Sequence, residues 1–281
     1  WSGTVRRAPD RHASAGTITS MEQDTIDSYG DELYAALRER RMVEPLTERE
    51  PDMSIADAYG VSQRLLARRL ADGERVIGKK IGVTSKAVQS MLNVHQPDFG
   101  FLTDAMVYDN GETLPLSTEL IQARAEGEIA FILGRDLAGP GVTNADVAAA
   151  TLGVMPCFEI VDSRIRDWQI KIQDTVADNA SCGLFVLGDR LVDPASVDLG
   201  TCGMVLEKNG EIIATGAGAA ALQSPLNAVA WLANTLGEYG IGLEAGEVIL
   251  SGSLAALIPV AAGDCMTMKI GGIGSASVRF A

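Results

Sequence analysis

Histidine is nearly missing from this chain, with two in 281 residues. The four cysteines, Cys157, Cys182, Cys202 and Cys265, are far apart, form no Cys-x-x-Cys pair and have no histidine nearby. That spacing indicates neither a zinc site nor a disulfide framework, so reduced thiols in a cytoplasm are the expected state. Positive charge is also short: 23 Lys and Arg against 37 Asp and Glu leave a net charge of −14. Nucleic acid is therefore disfavoured, because binding there rests on neutralising phosphates. Apolar runs stay well below the roughly 20 residues that span a bilayer. Neither the Gly-x-x-x-x-Gly-Lys phosphate loop nor the Gly-x-Ser-x-Gly nucleophile elbow occurs, so a phosphate loop is excluded and Ser-His-Asp hydrolysis has little support.

What the chain does have is a concentration of carboxylates inside apolar surroundings. Glu126 and Glu128 sit two apart in Arg124-Ala125-Glu126-Gly127-Glu128-Ile129-Ala130-Phe131, and Glu159 follows in Cys157-Phe158-Glu159-Ile160-Val161. Residues two apart share a face of a strand, whereas on a helix they diverge by about 200°. The β-favouring neighbours Phe131, Ile132 and Val161 make both segments buried strands, where uncompensated carboxylates cost several kcal/mol. The bland alternative is that each Glu is exposed or pairs with Arg124 or Arg135. As a convergent trio they call for a bound positive charge, and three oxygen donors suit Mg²⁺ or Mn²⁺ better than zinc.

At 47% hydrophobic the chain can bury a large core. Residues 1–20, with Arg6, Arg7 and Arg11 but no apolar stretch of a secretory signal, are expected to be a disordered upstream or expression-derived extension. Ile26, Tyr29, Leu33 and Leu37 recur at helical spacing before the basic run Arg38–Arg41, and Ser54 with Asp57 forms a capping box for a second helix. Residues 21–75 are thus expected to be a helical cap, and 76–281 a β-rich core punctuated by Gly, Pro, Asn and Asp. Within that core Asn209-Gly210 predicts a hairpin, Thr143/Asp146 and Ser224-Pro225 start two helices, and the triplets 245–247 and 262–264 feed two strands.

Three further segments admit functional and bland readings. In Gly78-Lys79-Lys80-Ile81-Gly82 alternation sends the two lysines to opposite faces, so at most one enters a site. His95-Gln96-Pro97-Asp98-Phe99-Gly100 reads as a polar turn, catalytic or merely structural. Asp178-Asn179-Ala180-Ser181-Cys182-Gly183 and Ser251-Gly252-Ser253 could line a carboxylate pocket or simply make turns.

Taken together, Gly78–Ser85, His95–Met106, Arg124–Ile129, Asp162-Ser163-Arg164, Asp174–Ser181, Val248–Ser253 and Ile270–Gly274 resemble the 2-hydroxypenta-2,4-dienoate hydratases, also called 2-oxopent-4-enoate hydratases, of the fumarylacetoacetate hydrolase superfamily. The resemblance runs from about Met21 to the C-terminus. It implies an α+β fold, with an N-terminal helical cap on a mixed β-roll or barrel-like core, a homo-oligomer, and one divalent cation per subunit, Mg²⁺ or Mn²⁺. The metal carboxylates fall on Glu126, Glu128 and Glu159, the catalytic lysine on Lys80 and its acidic partner on Asp98, with Ser181 and Ser253 as substrate contacts. The implied reaction, from the meta-cleavage degradation of aromatic compounds, protonates the dienoate at C5 and adds water at C4 to give 4-hydroxy-2-oxopentanoate. Decarboxylation of 4-oxalocrotonate, C–C hydrolysis of an acylpyruvate, or a non-catalytic subunit stabilising the decarboxylase are the alternatives. The sequence follows the hydratase pattern at His95–Gly100 and at Arg124–Gly127.

Overall fold

The structure, a computed structural model, describes residues 21–91 and 93–281. Residues 1–20, with the extension expected there, lie outside the described residues. Two long helices, Gln23–Glu39 and Ile55–Ala71, come first among the described residues, with the four-residue helix Leu46–Arg49 between them. The first ends where Arg40 turns left-handed at φ 51°, inside the basic run that marked its C-terminus. The second begins at the Ser54 box, in which the Asp57 N–H donates to Ser54 Oγ at 3.1 Å and the Ser54 N–H donates to Asp57 Oδ2 at 3.0 Å. Ile26, Leu33 and Ala36 of one helix bury against Ala58, Val61 and Leu65 of the other, and with Ile172 and Val176 they form a core of their own.

Among the described residues thirteen strands follow: β1 (Val76–Gly82), β2 (Asp98–Thr103), β3 (Val107–Tyr108), β4 (Thr113–Leu114), β5 (Arg124–Leu133), β6 (Thr151–Val161), β7 (Cys182–Leu187), β8 (Gly203–Lys208), β9 (Glu211–Ala217), β10 (Val248–Leu250), β11 (Ile258–Pro259), β12 (Cys265–Ile270) and β13 (Gly274–Phe280). They make two sheets. The larger runs β2-β1-β10-β5-β6-β7-β3 with β11 added beside β5, and the smaller runs β4-β13-β12-β8-β9. β1 and β10 are parallel, while β5 is antiparallel to both β10 and β6, so the larger sheet is mixed.

Alternation along β5 decides where its carboxylates point. Ala125, Ile129, Phe131 and Leu133 join the large core that includes Met204 and Met268 of the smaller sheet. Gly127 shares that face, and a Cβ there would lie 2.6 Å from the Met204 sulfur and 2.8 Å from that of Met268. A glycine between two glutamates is therefore what close sheet packing demands. Glu126, Glu128 and Ala130 take the opposite face, where Ala130 packs in a smaller cluster with Cys157, Phe185 and Leu250.

The Asn209-Gly210 hairpin is present, with both residues at positive φ, and the helices Asn144–Ala150 and Pro225–Gly237 start at Thr143 and Ser224 as read. The triplets 245–247 and 262–264 lead into β10 and β12. One segment differs from expectation. The 95–100 turn is over by Pro97, and Asp98 opens β2 fully buried, because its backbone pairs with Gly82 of β1.

Candidate active site

Antiparallel pairing of β5 with β6 sets Glu126 directly opposite Glu159 and Glu128 opposite Cys157. One oxygen from each of Glu126, Glu128 and Glu159 lies within 4.8 Å of the others. Glu128 and Glu159 are fully buried, while Glu126 keeps part of its surface open to a cleft. The Gly252 N–H donates to Glu128 Oε2 at 2.9 Å, which fixes that carboxylate from the turn after β10. Glu128 Oε1 and both oxygens of Glu159 have no hydrogen-bond partner among the described residues. Buried oxygens left so cost about 1–3 kcal/mol each, more when charged, and an arrangement that keeps them is built to receive something.

Lys80 supplies part of the missing charge. Its Nζ lies 3.0 Å from Glu159 Oε1, an ion pair at contact distance without hydrogen-bond geometry. Asp98, one strand over, is fully buried and neither of its carboxylate oxygens has a hydrogen-bond partner among the described residues. Gly82 makes this neighbourhood possible: a Cβ there would stand 2.2 Å from Asp98 Oδ1 and 3.4 Å from Lys80 Nζ. Lys79 points to the other face, where it pairs with Glu247, so alternation along β1 assigns the site to Lys80 alone.

Burial and neighbouring charge perturb Glu126, Glu128, Asp98 and Lys80 strongly. Burial, then the neighbouring Glu159, pushes Glu126 up to about 8. Burial raises Glu128 well above the carboxylate range, with Glu159 and Glu126 adding to it. Asp98 rises to about 6 through burial, the nearby Lys80 holding it from going further. Burial works against the Lys80 charge, but Glu159 and Asp98 outweigh it and hold the ammonium above its ordinary value. One cation among four acids is too little.

The cleft beside these groups encloses about 720 Å³. Ser181 reaches it from a left-handed run, Asn179, Ala180 and Ser181 at φ 54°, 51° and 52°. Such backbone is uncommon outside glycine and persists only where its surroundings hold it. Here the Asn179 side chain holds it, taking the Phe101 N–H at 2.8 Å and donating to the Phe101 carbonyl at 2.9 Å. The Ser181 hydroxyl lies 3.1 Å from Thr175 Oγ1, a second buried hydroxyl on the cleft. Ser253 also lines the cleft, with its hydroxyl donating to the Ala255 carbonyl at 2.6 Å, so toward a ligand its oxygen acts as acceptor. Arg124 stacks on Trp168 with its guanidinium carbon 4.5 Å from the ring centroid and pairs with no glutamate among the described residues. Thr175 and Trp168 carried no signal in the sequence: one is a single hydroxyl in the short helix Ile172–Ala177, the other lies in an irregular segment at φ 56°.

Residues 75–281 match the fumarylacetoacetate hydrolase C-terminal family. This chain belongs to the fumarylacetoacetate hydrolase family. Its relatives include a 2-hydroxypent-2,4-dienoate hydratase of Pseudomonas putida, 71% identical over 79% of this chain and the whole of the relative. A 2-hydroxyhexa-2,4-dienoate hydratase of Comamonas testosteroni is 60% identical over 92% of this chain and 98% of the relative. Among solved structures, the 4-oxalocrotonate decarboxylase of Pseudomonas putida G7, complexed with magnesium and adipate, superposes with a TM-score of 0.90 at 37% identity, covering 93% of this chain and 99% of the other.

The fold is that of the fumarylacetoacetate hydrolase family, N-terminal helices on a mixed β core. A divalent cation fits the residues present: three convergent carboxylates, unpartnered buried oxygens on two of them, and no histidine or cysteine in the group. Among the described residues no helix is long and apolar enough to cross a membrane.

Proposed function

We propose that this chain is a divalent-metal-dependent hydratase that converts 2-hydroxypenta-2,4-dienoate to 4-hydroxy-2-oxopentanoate. The observation that carries the reading is the Glu126, Glu128 and Glu159 trio, with unpartnered oxygens, beside the Lys80 ammonium on one wall of a cleft. Those three carboxylates would hold Mg²⁺ or Mn²⁺, which when bound supplies Lewis-acid polarisation and a template for a 2-oxo or 2-hydroxy acid.

The chain's own groups do the rest. Lys80, held charged by Glu159 and Asp98, places a positive charge where the dienolate oxygen develops charge and stabilises it, or passes a proton along the same contact. Asp98, raised to about 6, holds a proton across part of the neutral range and gives or takes it as acid or base for water addition. Ser181, with Thr175 beside it, donates a hydroxyl toward the substrate, and Ser253 accepts. The left-handed backbone at 179–181 fixes the Ser181 hydroxyl in advance, so little ordering is left for the bound state.

In this reading residues 21–75 are a cap over a catalytic core of 76–281. The enzyme works in the cytoplasm as a homo-oligomer and can associate with a 4-oxalocrotonate decarboxylase, within the meta-cleavage degradation of aromatic compounds. Chelator-treated protein is the test: it should neither consume the dienoate nor form 4-hydroxy-2-oxopentanoate until Mg²⁺ or Mn²⁺ is restored. Turnover of 4-oxalocrotonate with release of CO₂ in place of dienoate hydration would overturn the hydratase reading in favour of the decarboxylase one. No turnover of either would favour the non-catalytic subunit.

A further inference from the structure

Part of the cleft lining does not come from the sheet. Asp167, Trp168, Ile170 and Thr175 reach it from the segment that follows β6. The apolar residues of that segment, Ile165, Ile172 and Val176, are buried with Leu33, Leu46 and Val61 of the N-terminal helices, not in the large core beneath β5. Hydrogen bonds hang the same segment on residues 43–53, the connection between the two long helices. The Val43 N–H donates to the Arg164 carbonyl at 2.8 Å, the Arg166 N–H donates to the Val43 carbonyl at 2.9 Å, and Gln173 Nε2 donates to the Met53 carbonyl at 3.2 Å.

Asp174 makes the densest of these ties. It is fully buried, its Oδ1 takes the Thr47 N–H at 3.0 Å, and its Oδ2 takes the Thr47 hydroxyl at 2.8 Å and the Lys171 N–H at 2.9 Å. The next residue carries the consequence. Successive helix residues point about 100° apart, so with Asp174 turned to Thr47, Thr175 is turned to the cleft, where its hydroxyl lies 3.1 Å from that of Ser181. The helix Ile172–Ala177 has six residues, well below the roughly 12–15 that hold themselves helical in water. Its direction is therefore set by what grips it, and Asp174 grips it one residue from the cleft hydroxyl.

We propose that Asp174, bonded to Thr47, is a positioning residue for hydration: it makes the N-terminal helices part of the active site by fixing the Thr175 hydroxyl against Ser181. The role rests on the hydratase reading of the cleft and extends it to residues 43–53, none of which lines the cleft. Asp174 touches no reacting atom and acts only through the hydroxyl pair.

Steady-state kinetics on the Mg²⁺-loaded full chain with 2-hydroxypenta-2,4-dienoate tests it. Thr47→Val removes the hydroxyl but keeps the shape and the N–H, and should lower kcat/KM severalfold, whereas Thr47→Ser restores the hydroxyl and should stay near wild type. In Asp174→Asn, whichever way the amide is set, its NH₂ meets the N–H of Thr47 or of Lys171, so the loss should reach about tenfold or more. Mg²⁺ affinity should not change in either, because the glutamates stand on β5 and β6. Coupling decides the role: in a Thr175→Val background the Thr47→Val loss should vanish, since the tie acts through that hydroxyl. If Asp174→Asn does not fold, the Thr47 variants decide alone. Thr47→Val at the wild-type kcat/KM, or a loss as large without the Thr175 hydroxyl, overturns the role whatever happens to the melting temperature. If the wild-type chain turns over no dienoate, the hydratase reading falls separately. Mg²⁺-dependent binding of 2-oxopentanoate by calorimetry then puts the question to the same variants, with weaker binding in Thr47→Val expected and equal binding overturning the role.

Discussion

Two buried charged clusters lie close together in this fold and differ in one respect. Around Arg164 every polar group is answered. Its guanidinium donates to the Asp178 carboxylate, to the carbonyl of Asp178, to that of Asp162 at 2.6 Å and to that of Cys182 at 2.9 Å. The Asp178 carboxylate also takes the Arg164 N–H at 2.9 Å, and the Ile121 and Gln122 N–H groups close the Asp162 carboxylate. Around Glu128, Glu159 and Asp98 five buried carboxylate oxygens have no hydrogen-bond partner among the described residues. Both clusters are equally dry, so burial does not separate a structural site from a functional one. Completeness does: the closed network has nothing left to bind, and the open one is stable only to the extent that something binds it or a proton neutralises it.

Opposite mutational outcomes follow. Glu128→Gln removes an ionisable group whose Oε1 the apo site leaves without a partner, so activity should fall to background while the apo protein melts at the same or a higher temperature. A near-normal rate with retained metal stoichiometry would remove Glu128 from the site. Asp178→Asn strands a fully buried arginine, and breaking such a pair costs about 3–5 kcal/mol. Its melting temperature should drop sharply while the folded fraction keeps its Mg²⁺ affinity. If both variants destabilised alike, the distinction between open and closed clusters would be lost.

The two lysines of β1 repeat the contrast one residue apart. Lys80→Met should leave metal binding intact and lower kcat by about 10² or more, the scale of a lost oxyanion or acid–base contribution. Lys79→Met strands Glu247 on the far face, so it should act on stability and leave the kcat of the folded enzyme near normal. Steady-state kinetics beside thermal melts of both variants reads this directly. A kcat defect larger in the Lys79 variant would reverse the facing of the strand.

Period-two alternation was enough to read the glutamate pair and to send Lys79 and Lys80 to opposite faces, because strands enforce that geometry locally, whereas the choice of Lys80 came from the family resemblance. Caps at Ser54, Thr143 and Ser224 were legible for the same reason, each being decided within three residues. What sequence spacing could not carry was set by register across the sheet. Asp98 looked like part of a turn because His95-Gln96-Pro97 precedes it, and only pairing with Gly82 buries it. Thr175 meets Ser181, and Trp168 meets Arg124, through irregular backbone at positive φ that no side-chain pattern announces. The need for Gly127 became visible only with the second sheet in place.

The smallest expected effect concerns pH, and its sign tests the open cluster without any substitution. Asp98 rises to about 6 and Glu126 to about 8 in the folded chain, both above the ordinary carboxylate value, with burial as the first cause of each. The folded apo protein thus keeps protons that the unfolded chain has already lost. Stability from these groups is complete below the unfolded carboxylate pKa and is lost as pH rises through about 6 and then about 8. The apo melting temperature should therefore sag by a few degrees across that window. A divalent cation competes with the same protons, so its affinity increases with pH and protons are released on binding. The Mg²⁺-induced rise in melting temperature should accordingly be small at pH 5 and grow toward pH 8, whereas the Asp178→Asn variant should show the same growth from a lower baseline. Scanning calorimetry with and without Mg²⁺ over that range measures it. A stabilisation by Mg²⁺ that is flat or falls with pH would mean that the glutamates are not what the cation displaces protons from.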